Sequence, residues 1–334
     1  MYRLFNKKYP LNFKSLFNHV TKKEHQNCSA VRFSSSKASL DISGIYPPII
    51  TTFNDHGDIN FDKLKFNLDK WKEIPFKGYV VLGSTGEFTF LSEDEKVKLV
   101  KFMKDNNGGK LIIAATHNTI ELTNKMADAG ANAALVVSPF FYKGRMTENV
   151  LYEHYQKVAD SSKMPVILYS VPANTGLDLS AALITKLADH PNIIGLKDSG
   201  GDITKIGLIV HKTKEKNFQV LAGSAGFLYP ALCTGCVGGV LALANTLGRP
   251  TCELYQYVKE GKHDAARKLQ HRLIGPNLCV TKIFGIPGVK SSMDMLGYHG
   301  GLCRSPLKEL SSAEKEELKK EFKANGFFKW SREE

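Results

Sequence analysis

Short apolar runs alternate with amphipathic segments along most of this 334-residue chain. Eight apolar runs lie at residues 45–53, 78–84, 110–116, 133–139, 165–172, 192–197, 218–224 and 238–245. Short runs that are almost entirely apolar are typical of strands covered on both faces of a parallel sheet. The segments between them carry apolar residues at three- and four-residue spacing, which predicts helices.

Capping residues mark where some of these helices begin. Ser92 with Glu95, and Ser311 with Glu314, each match the capping-box pattern of a helix N-terminus. Beyond about residue 250 the strand pattern does not return, and the remaining segments are helical in pattern.

Together these elements predict an α/β fold in which eight strands, each followed by a helix, close into a (β/α)8 TIM barrel. An open doubly wound sheet has the same local pattern, but eight units in about 200 residues favour a closed barrel. We assign the barrel to residues 40–249. Residues 250–334 are predicted to form a C-terminal helical extension that caps the barrel or takes part in oligomerisation.

Composition narrows the class of protein. Hydrophobic residues make up 43% of the chain, enough for a large core, and no apolar run approaches the roughly 20 residues of a membrane-spanning helix. A membrane is therefore not an expected partner. Six cysteines are too few and too scattered for a disulfide framework, and the C-x-x-C formed by Cys233 and Cys236 lacks a second pair or a histidine at zinc spacing. No metal site is predicted.

The first 38 residues differ in charge from the rest of the chain. They contain eight Lys or Arg and one acidic residue, Glu24, and so carry +7 of the formal net charge of +12. Bases interleaved with apolar residues and few acids are typical of a mitochondrial presequence, although a basic tail without this role has the same composition. A presequence over residues 1–38 predicts a mitochondrial matrix protein. The remainder carries only about +5 and no recognised nucleic-acid motif, which argues against a nucleic-acid partner.

The functional site of such a barrel lies where the C-terminal ends of the strands meet the loops that follow. The ends of the apolar runs supply Ser84, Thr85, Ser138, Pro139, Tyr169, Ser170, Lys197, Ser224 and Asn245. Lys197 is the only nucleophile candidate in this set. Burial at the end of an apolar strand favours the neutral amine, which can attack a carbonyl carbon.

Two interpretations of Lys197 stay open from the residues alone. Its side chain could reach solvent or pair with the neighbouring Asp198, as most such lysines do. Tyr169, one strand away, favours the reactive interpretation, because a phenol can transfer the protons that imine formation requires. The loop at residues 83–88 offers hydroxyls and consecutive amides that suit a carboxylate, and the loop at residues 222–227 is compatible with a phosphate site.

Three motifs, in order along the chain, resemble those of the dihydrodipicolinate synthase and N-acetylneuraminate lyase superfamily. They are GSTGE at 83–87, YSVPANTG at 169–176 and GLKDSGGD at 195–202, and the resemblance extends over nearly the whole chain after Ser43. It implies a class I aldolase whose strand-six lysine forms a Schiff base with pyruvate or another 2-oxo acid. No metal or organic cofactor is implied, because the imine itself acts as the electron sink.

Within this superfamily the chain is most similar to the 4-hydroxy-2-oxoglutarate aldolases, through segments such as YKGRM, YSVPANTGLDL, AGSAGFL, KLQHRLI and FGIPG. Dihydrodipicolinate synthases usually carry an arginine at the position of Asn174. The resemblance implies cleavage of 4-hydroxy-2-oxoglutarate to pyruvate and glyoxylate in hydroxyproline catabolism. The alternatives are another pyruvate-dependent aldolase, of sialic acid lyase or dihydrodipicolinate synthase type, and a non-catalytic metabolite-binding barrel.

Carried over position by position, the resemblance makes Lys197 the Schiff-base lysine and Tyr169 the proton-transfer phenol beside it. Ser84 takes the place of the hydroxyl of a proton relay. The amides of Ser84 and Thr85 are implied to hold the carboxylate of the 2-oxo acid.

Other positions carry over with one departure. Asn174 and Ser199 are implied to bind the distal carboxylate of the substrate. Aligned through Pro139, the relay tyrosine that a neighbouring subunit lends in this family falls on Phe141, which has no hydroxyl. Tyr142 follows directly and could replace it, or a water could bridge the gap, or the relay is dispensable here. The resemblance also implies a homo-oligomer, a tetramer in this family.

Overall fold

The computed structural model describes residues 40–116 and 120–328; the predicted presequence at residues 1–38 lies outside this described part. The strands are β1 (Gly44–Tyr46), β2 (Gly78–Val81), β3 (Leu111–Thr116), β4 (Ala133–Val137), β5 (Val166–Ser170), β6 (Ile193–Asp198), β7 (Gln219–Ala222) and β8 (Gly238–Val240). The helices are α1 (Phe61–Trp71), α2 (Glu93–Asn106), α3 (Ile120–Asp128), α4 (Glu148–Ser161), α5 (Pro172–Thr175), α6 (Ala181–Leu187), α7 (Ile203–Thr213), α8 (Leu228–Cys233), α9 (Gly248–Lys259), α10 (His263–Leu278), α11 (Gly285–Met295) and α12 (Ser312–Ala324).

The eight strands are parallel and follow the order β1-β8-β7-β6-β5-β4-β3-β2. The sheet closes between β1 and β2 just after β1 ends. There the amide of Val80 donates to the carbonyl of Pro47 at 3.0 Å, and the amide of Ile49 donates to Val80 at 2.9 Å. The predicted (β/α)8 barrel is confirmed, and the open-sheet alternative is wrong.

Most strands are shorter than the apolar runs that predict them, and β1 and β8 are shortened most. β1 ends at Tyr46 because Pro47 and Pro48 follow, and proline has no amide to continue the ladder. The run at residues 238–245 forms a strand only up to Val240 and then turns into a 3₁₀ helix, Ala242–Asn245. Both breaks lie at the C-terminal ends of their strands, which is the end of the barrel where the predicted site lies.

The strands alternate between two apolar layers. Side chains such as Tyr46, Val80, Ile113, Leu135, Ile167, Tyr169 and Val240 fill the barrel interior. Neighbouring residues on the same strands, among them Val81, Leu168 and Leu196, face the surrounding helices. Because both faces of each strand are covered, β5 and β6 are buried along their whole length, as the apolar runs predict.

The C-terminal helices lie close to the mouth of the barrel. α9 packs against β1 and completes the eighth strand-helix unit, and both predicted capping boxes, at Ser92 and Ser311, are present. α10 contacts the turn after β7, and α11 contacts the turn after β2. The extension therefore reaches the end of the barrel where the predicted site lies. No helix in the described part is long and apolar enough to cross a bilayer.

Candidate active site

Lys197 lies near the C-terminal end of β6 and lines a cavity of about 560 Å³ at the barrel mouth. A register shift between β5 and β6 helps to aim it. Val166 pairs with Ile193, but Ile167 pairs with Gly195, so β6 contains one additional residue. Such a bulge changes which face the following side chains take. The side chain of Lys197 is 5% exposed, so it does not extend into bulk solvent.

Tyr169 is the register partner of Lys197 on β5. The Nζ atom of Lys197 lies 4.3 Å from the centroid of the phenol ring, and Tyr169 is buried. The amine thus lies over the face of the phenol ring on the adjacent strand, and a phenol that transfers protons to and from an imine must lie close to the amine. The structure thus brings together the two residues that carry the predicted chemistry.

Asp198 does not pair with Lys197. It faces away from the cavity, where its Oδ2 atom lies 2.8 Å from Nζ of Lys205 on α7, and its Oδ1 atom accepts from the amides of Gly200 and Gly201. Burial alone would lower the pKa of Lys205, but hydrogen bonds with Asp178 and Asp198 raise it. The alternative interpretation of Lys197, as an exposed lysine or a partner of Asp198, is therefore wrong.

Ser84 and Thr85 lie in a short 3₁₀ turn, Ser84–Gly86, directly after β2. The turn is flanked by Leu82 and Glu87, both with positive φ, at 62° and 56°. As the first residues of the turn, Ser84 and Thr85 have amides without acceptors inside it, and both residues line the cavity. Left-handed backbone at a leucine is costly, so the surroundings must hold this turn in place.

Glu87 supplies that support from behind the turn. Its side chain is fully buried and forms an ion pair of 2.6 Å with Lys290 on α11, and its other oxygen accepts from the amide of Arg304 at 2.8 Å. Thr51 donates to the carbonyl of Gly86 at 2.6 Å. The turn is thus fixed by Thr51, which follows β1, and by the C-terminal elements that carry Lys290 and Arg304.

Asn174 and Ser199 also line the cavity. Asn174 belongs to the short helix α5, which follows β5, and Ser199 follows β6. Ser199 packs tightly against Gly223 after β7, where an added Cβ atom would lie 2.1 Å from Ser199 Oγ. Both residues predicted to bind a distal carboxylate therefore lie around the same space as Lys197.

Phe141 and Tyr142 do not line this cavity in their own chain. They follow β4, are 83% and 72% exposed, and their rings are in edge-to-face contact at 5.0 Å. A relay function for either residue would require a neighbouring subunit. The structure describes one chain, so this function stays a prediction.

The C-terminal extension contributes residues that the sequence did not identify. Asn277 on α10 is buried and binds Ser224 after β7, with its Nδ2 atom 3.0 Å from Ser224 Oγ. The following π-helical turn, Cys279–Ile283, brings Thr281 and Lys282 to the cavity. A helical pattern does not reveal which end of the barrel it packs against, so the sequence held no signal for these contacts. Ser224 lies in the loop that is compatible with a phosphate site, and its hydroxyl is hydrogen-bonded to Asn277.

No group of three or more His, Cys, Asp or Glu side chains within the described ranges is arranged to hold a metal ion.

Comparison with known proteins identifies the family of this chain. The profile of the dihydrodipicolinate synthetase family matches residues 41–325. The chain is 35% identical over 284 residues to the 4-hydroxy-tetrahydrodipicolinate synthase of Methanothrix thermoacetophila, covering 83% of this chain and 94% of that relative. It is 32% identical to the protein of the same name from Haloarcula marismortui, covering 84% and 93%.

Solved structures agree with these relatives. A dihydrodipicolinate synthase from Bacillus anthracis superposes with a TM-score of 0.81 at 28% identity, covering 86% of this chain and 99% of that chain. YagE from E. coli, a member of the dihydrodipicolinic acid synthase family solved with pyruvate, superposes with a TM-score of 0.79 at 27% identity, covering 85% and 98%.

These relatives test both the resemblance to the superfamily and the narrower similarity to 4-hydroxy-2-oxoglutarate aldolases. The superfamily that the motifs predict is confirmed, and with it a lyase-type enzyme that forms a lysine imine with pyruvate and needs no added cofactor. The narrower similarity to 4-hydroxy-2-oxoglutarate aldolases finds no support in the names of these relatives, which are synthases. The chain belongs to the dihydrodipicolinate synthetase family.

Proposed function

We propose that this protein is a class I aldolase that cleaves 4-hydroxy-2-oxoglutarate to pyruvate and glyoxylate through an imine on Lys197. The observation that carries the imine chemistry is the buried amine of Lys197, 4.3 Å from the phenol ring of Tyr169 in a cavity large enough for a small oxo acid. Asp198 forms an ion pair with Lys205, and no carboxylate in the described part forms an ion pair with the Lys197 amine.

In the proposed reaction, the Lys197 amine attacks the 2-oxo carbon, and Tyr169 transfers the proton that allows the resulting hydroxyl to leave as water. The protonated imine then withdraws electrons from the neighbouring carbon-carbon bond. Tyr169 or the substrate's own carboxylate accepts the proton of the 4-hydroxyl, and the bond between carbons 3 and 4 breaks, which releases glyoxylate and leaves an enamine. Protonation of the enamine and hydrolysis return pyruvate and the free amine of Lys197.

Substrate binding follows from the lining of the cavity. The amides of Ser84 and Thr85 bind the carboxylate next to the 2-oxo group, and the Ser84 hydroxyl takes part in proton transfer. Asn174 and Ser199 supply neutral hydrogen bonds at the distal end. The rigid backing of the Ser84 turn supports these assignments, because donors that are held in place stabilise a bound anion without reorganisation.

A second candidate is the condensation of pyruvate that forms 4-hydroxy-tetrahydrodipicolinate. The names of the relatives favour it. Asn174 argues against it, because it stands where such synthases usually carry a carboxylate-binding arginine. Both reactions pass through the same enamine of pyruvate on Lys197. Cleavage forms it by releasing glyoxylate, whereas condensation adds it to an acceptor, so the second reactant distinguishes them.

The proposal extends to assembly and location. We infer a homo-oligomer, a tetramer by family resemblance, in which a neighbouring subunit brings Phe141 and Tyr142 towards the site. The exposure of both residues in the single chain supports this inference.

The acid-poor composition of residues 1–38 supports import into the mitochondrial matrix, where the reaction would serve hydroxyproline catabolism.

The experiment begins with sodium borohydride reduction in the presence of pyruvate, followed by peptide mass mapping. We expect one adduct, on Lys197, and its absence or its presence on another lysine would refute the imine mechanism. Steady-state assays then compare glyoxylate release from 4-hydroxy-2-oxoglutarate with condensation of pyruvate and the amino-aldehyde acceptor of the synthase reaction. Faster condensation than cleavage would replace the proposed function by the second candidate.

A further inference from the structure

The charges around the cavity are unevenly distributed. Among the described residues that line it, two side chains carry a formal positive charge, Lys197 and Lys282, and none carries a negative charge. Nearby, Glu87 is neutralised by Lys290 behind the Ser84 turn. Once Lys197 has formed an imine, its nitrogen is bonded to carbon 2 of the substrate and is no longer free to pair with a carboxylate at the far end. Among the described residues that line the cavity, Lys282 then has the remaining side chain with a formal positive charge.

The backbone that carries Lys282 is held firmly. α10 ends at Leu278 and continues as the π-helical turn Cys279–Ile283, in which the amide of Phe284 donates to the carbonyl of Cys279 at 3.0 Å. A π turn adds a residue to the helical repeat and so rotates the side chains that follow. Here Cys279 and Val280 are buried. Lys282 is exposed and lines the cavity.

Two hydrogen bonds tie this turn to the barrel. The hydroxyl of Thr281 donates to the carbonyl of Asn277 at 2.6 Å, and Asn277 in turn binds Ser224 after β7. The position of Lys282 relative to the strand ends is therefore set by the fold, whereas its side chain stays available. The side chain of Lys282 makes no hydrogen bond or ion pair with any residue that the structure describes.

We infer that Lys282 binds the distal carboxylate of the substrate and selects 2-oxo acids that carry a second carboxylate. This inference rests on the proposed imine at Lys197 but not on which bond is made or broken afterwards. Asn174 and Ser199 supply neutral hydrogen bonds at that end, and Lys282 supplies the charge. An oxo acid with an apolar far end gains no binding energy from the Lys282 ammonium, which water already solvates. The preference for a second carboxylate therefore arises from the ion pair between that carboxylate and Lys282.

The test uses two oxo acids that form an imine but are not cleaved. 2-Oxoglutarate has the distal carboxylate and lacks the 4-hydroxyl, and 2-oxobutyrate has only the first carboxylate. The concentration that gives half-maximal borohydride trapping on Lys197 is measured for the wild type, Lys282→Met, Lys282→Arg and Lys268→Met. Lys268 is an exposed lysine of α10 that does not line the cavity and serves as the matched control.

For Lys282→Met we expect this concentration to rise about tenfold for 2-oxoglutarate and to stay unchanged for 2-oxobutyrate, the size of effect typical of a lost charge-assisted hydrogen bond. Lys282→Arg and Lys268→Met should resemble the wild type. An unchanged value for 2-oxoglutarate, or equal changes for both acids, would overturn the inference. Trapping that depends on Lys282 without any cleavage of 4-hydroxy-2-oxoglutarate would refute only the proposed reaction, and no trapping of either acid would refute both.

Discussion

Nζ of Lys290 lies 2.6 Å from a carboxylate oxygen of Glu87, and both side chains are at most 1% exposed. Glu87 ends the turn that carries Ser84 and Thr85, and Lys290 belongs to α11. Lys290 also contacts the ring of Phe53 at 4.7 Å. The pair therefore joins the cavity wall to the C-terminal extension, so the extension is part of the architecture of the site.

We predict that Lys290→Met lowers the free energy of unfolding by about 3–5 kcal/mol, because it leaves the Glu87 carboxylate buried without a partner. The double variant Glu87→Gln with Lys290→Met should lose less, since no uncompensated charge remains. Urea unfolding followed by circular dichroism gives both values. As a control, Lys319→Met removes a surface pair with Glu316 at 3.8 Å and should cost under about 1 kcal/mol. A double variant less stable than Lys290→Met would contradict this view of the pair.

Much of the fold could be predicted because its signals are local. The eight apolar runs indicate buried parallel strands, and the ends of those strands identify Lys197 and Tyr169 as neighbours on β6 and β5. Their contact depends on adjacent strands alone.

The remaining features of the site depend on contacts distant in sequence. The bulge in β6 arises from the register of two strands, which periodicity does not encode. The pairing of Asp198 with Lys205, rather than with Lys197, depends on which face of β6 each side chain takes. Lys290 and Lys282 reach the site only because α10 and α11 fold back onto the barrel mouth, and a helical pattern contains no information about that docking.

Gly223 should be intolerant of a side chain. A Cβ atom there would lie 2.6 Å from the carbonyl oxygen of Asp198 and 2.7 Å from Cα of Ser199, and both are backbone atoms. Gly223→Ala must push β7 away from the end of β6, so we expect a loss of about 1–3 kcal/mol in unfolding free energy and weaker borohydride trapping at Lys197. Gly207→Ala on α7, where the nearest atom is 3.9 Å away, is the control and should be neutral or stabilising. Equal stability of the two variants would show that the loop adapts freely.

Acid stability should depend on Glu95. A hydrogen bond from Arg304 is the main cause that lowers the pKa of this carboxyl to about 2, against an unfolded value of about 4.3. Because the folded pKa is the lower one, the carboxylate stabilises the fold fully above about pH 5, and this contribution is lost as the pH falls towards 2. Glu95→Gln should therefore weaken the drop in the urea midpoint between pH 6 and pH 3.

The drop should not disappear in Glu95→Gln. Lys77 likewise lowers the pKa of Asp41 to about 2, so Asp41→Asn should remove a separate share. Glutamine at position 95 can still serve in the capping box with Ser92, which keeps the start of α2 intact. An unaltered pH dependence in Glu95→Gln would show that the pair with Arg304 contributes nothing to acid stability.

The family resemblance implies a relay tyrosine at the position of Phe141, and this difference gives the last prediction. If a phenol from the neighbouring subunit were essential for passing protons to Ser84, a chain with phenylalanine there would be slow. We expect instead that Tyr142 or a water serves this function, so Phe141→Tyr should raise turnover only a few-fold. Tyr169→Phe should lower turnover about 100- to 10,000-fold, because it removes the phenol beside Lys197. The steady-state rate of glyoxylate release is measured for the wild type, Phe141→Tyr and Tyr169→Phe. A large gain in turnover for Phe141→Tyr would favour the metabolite-binding barrel over an efficient aldolase.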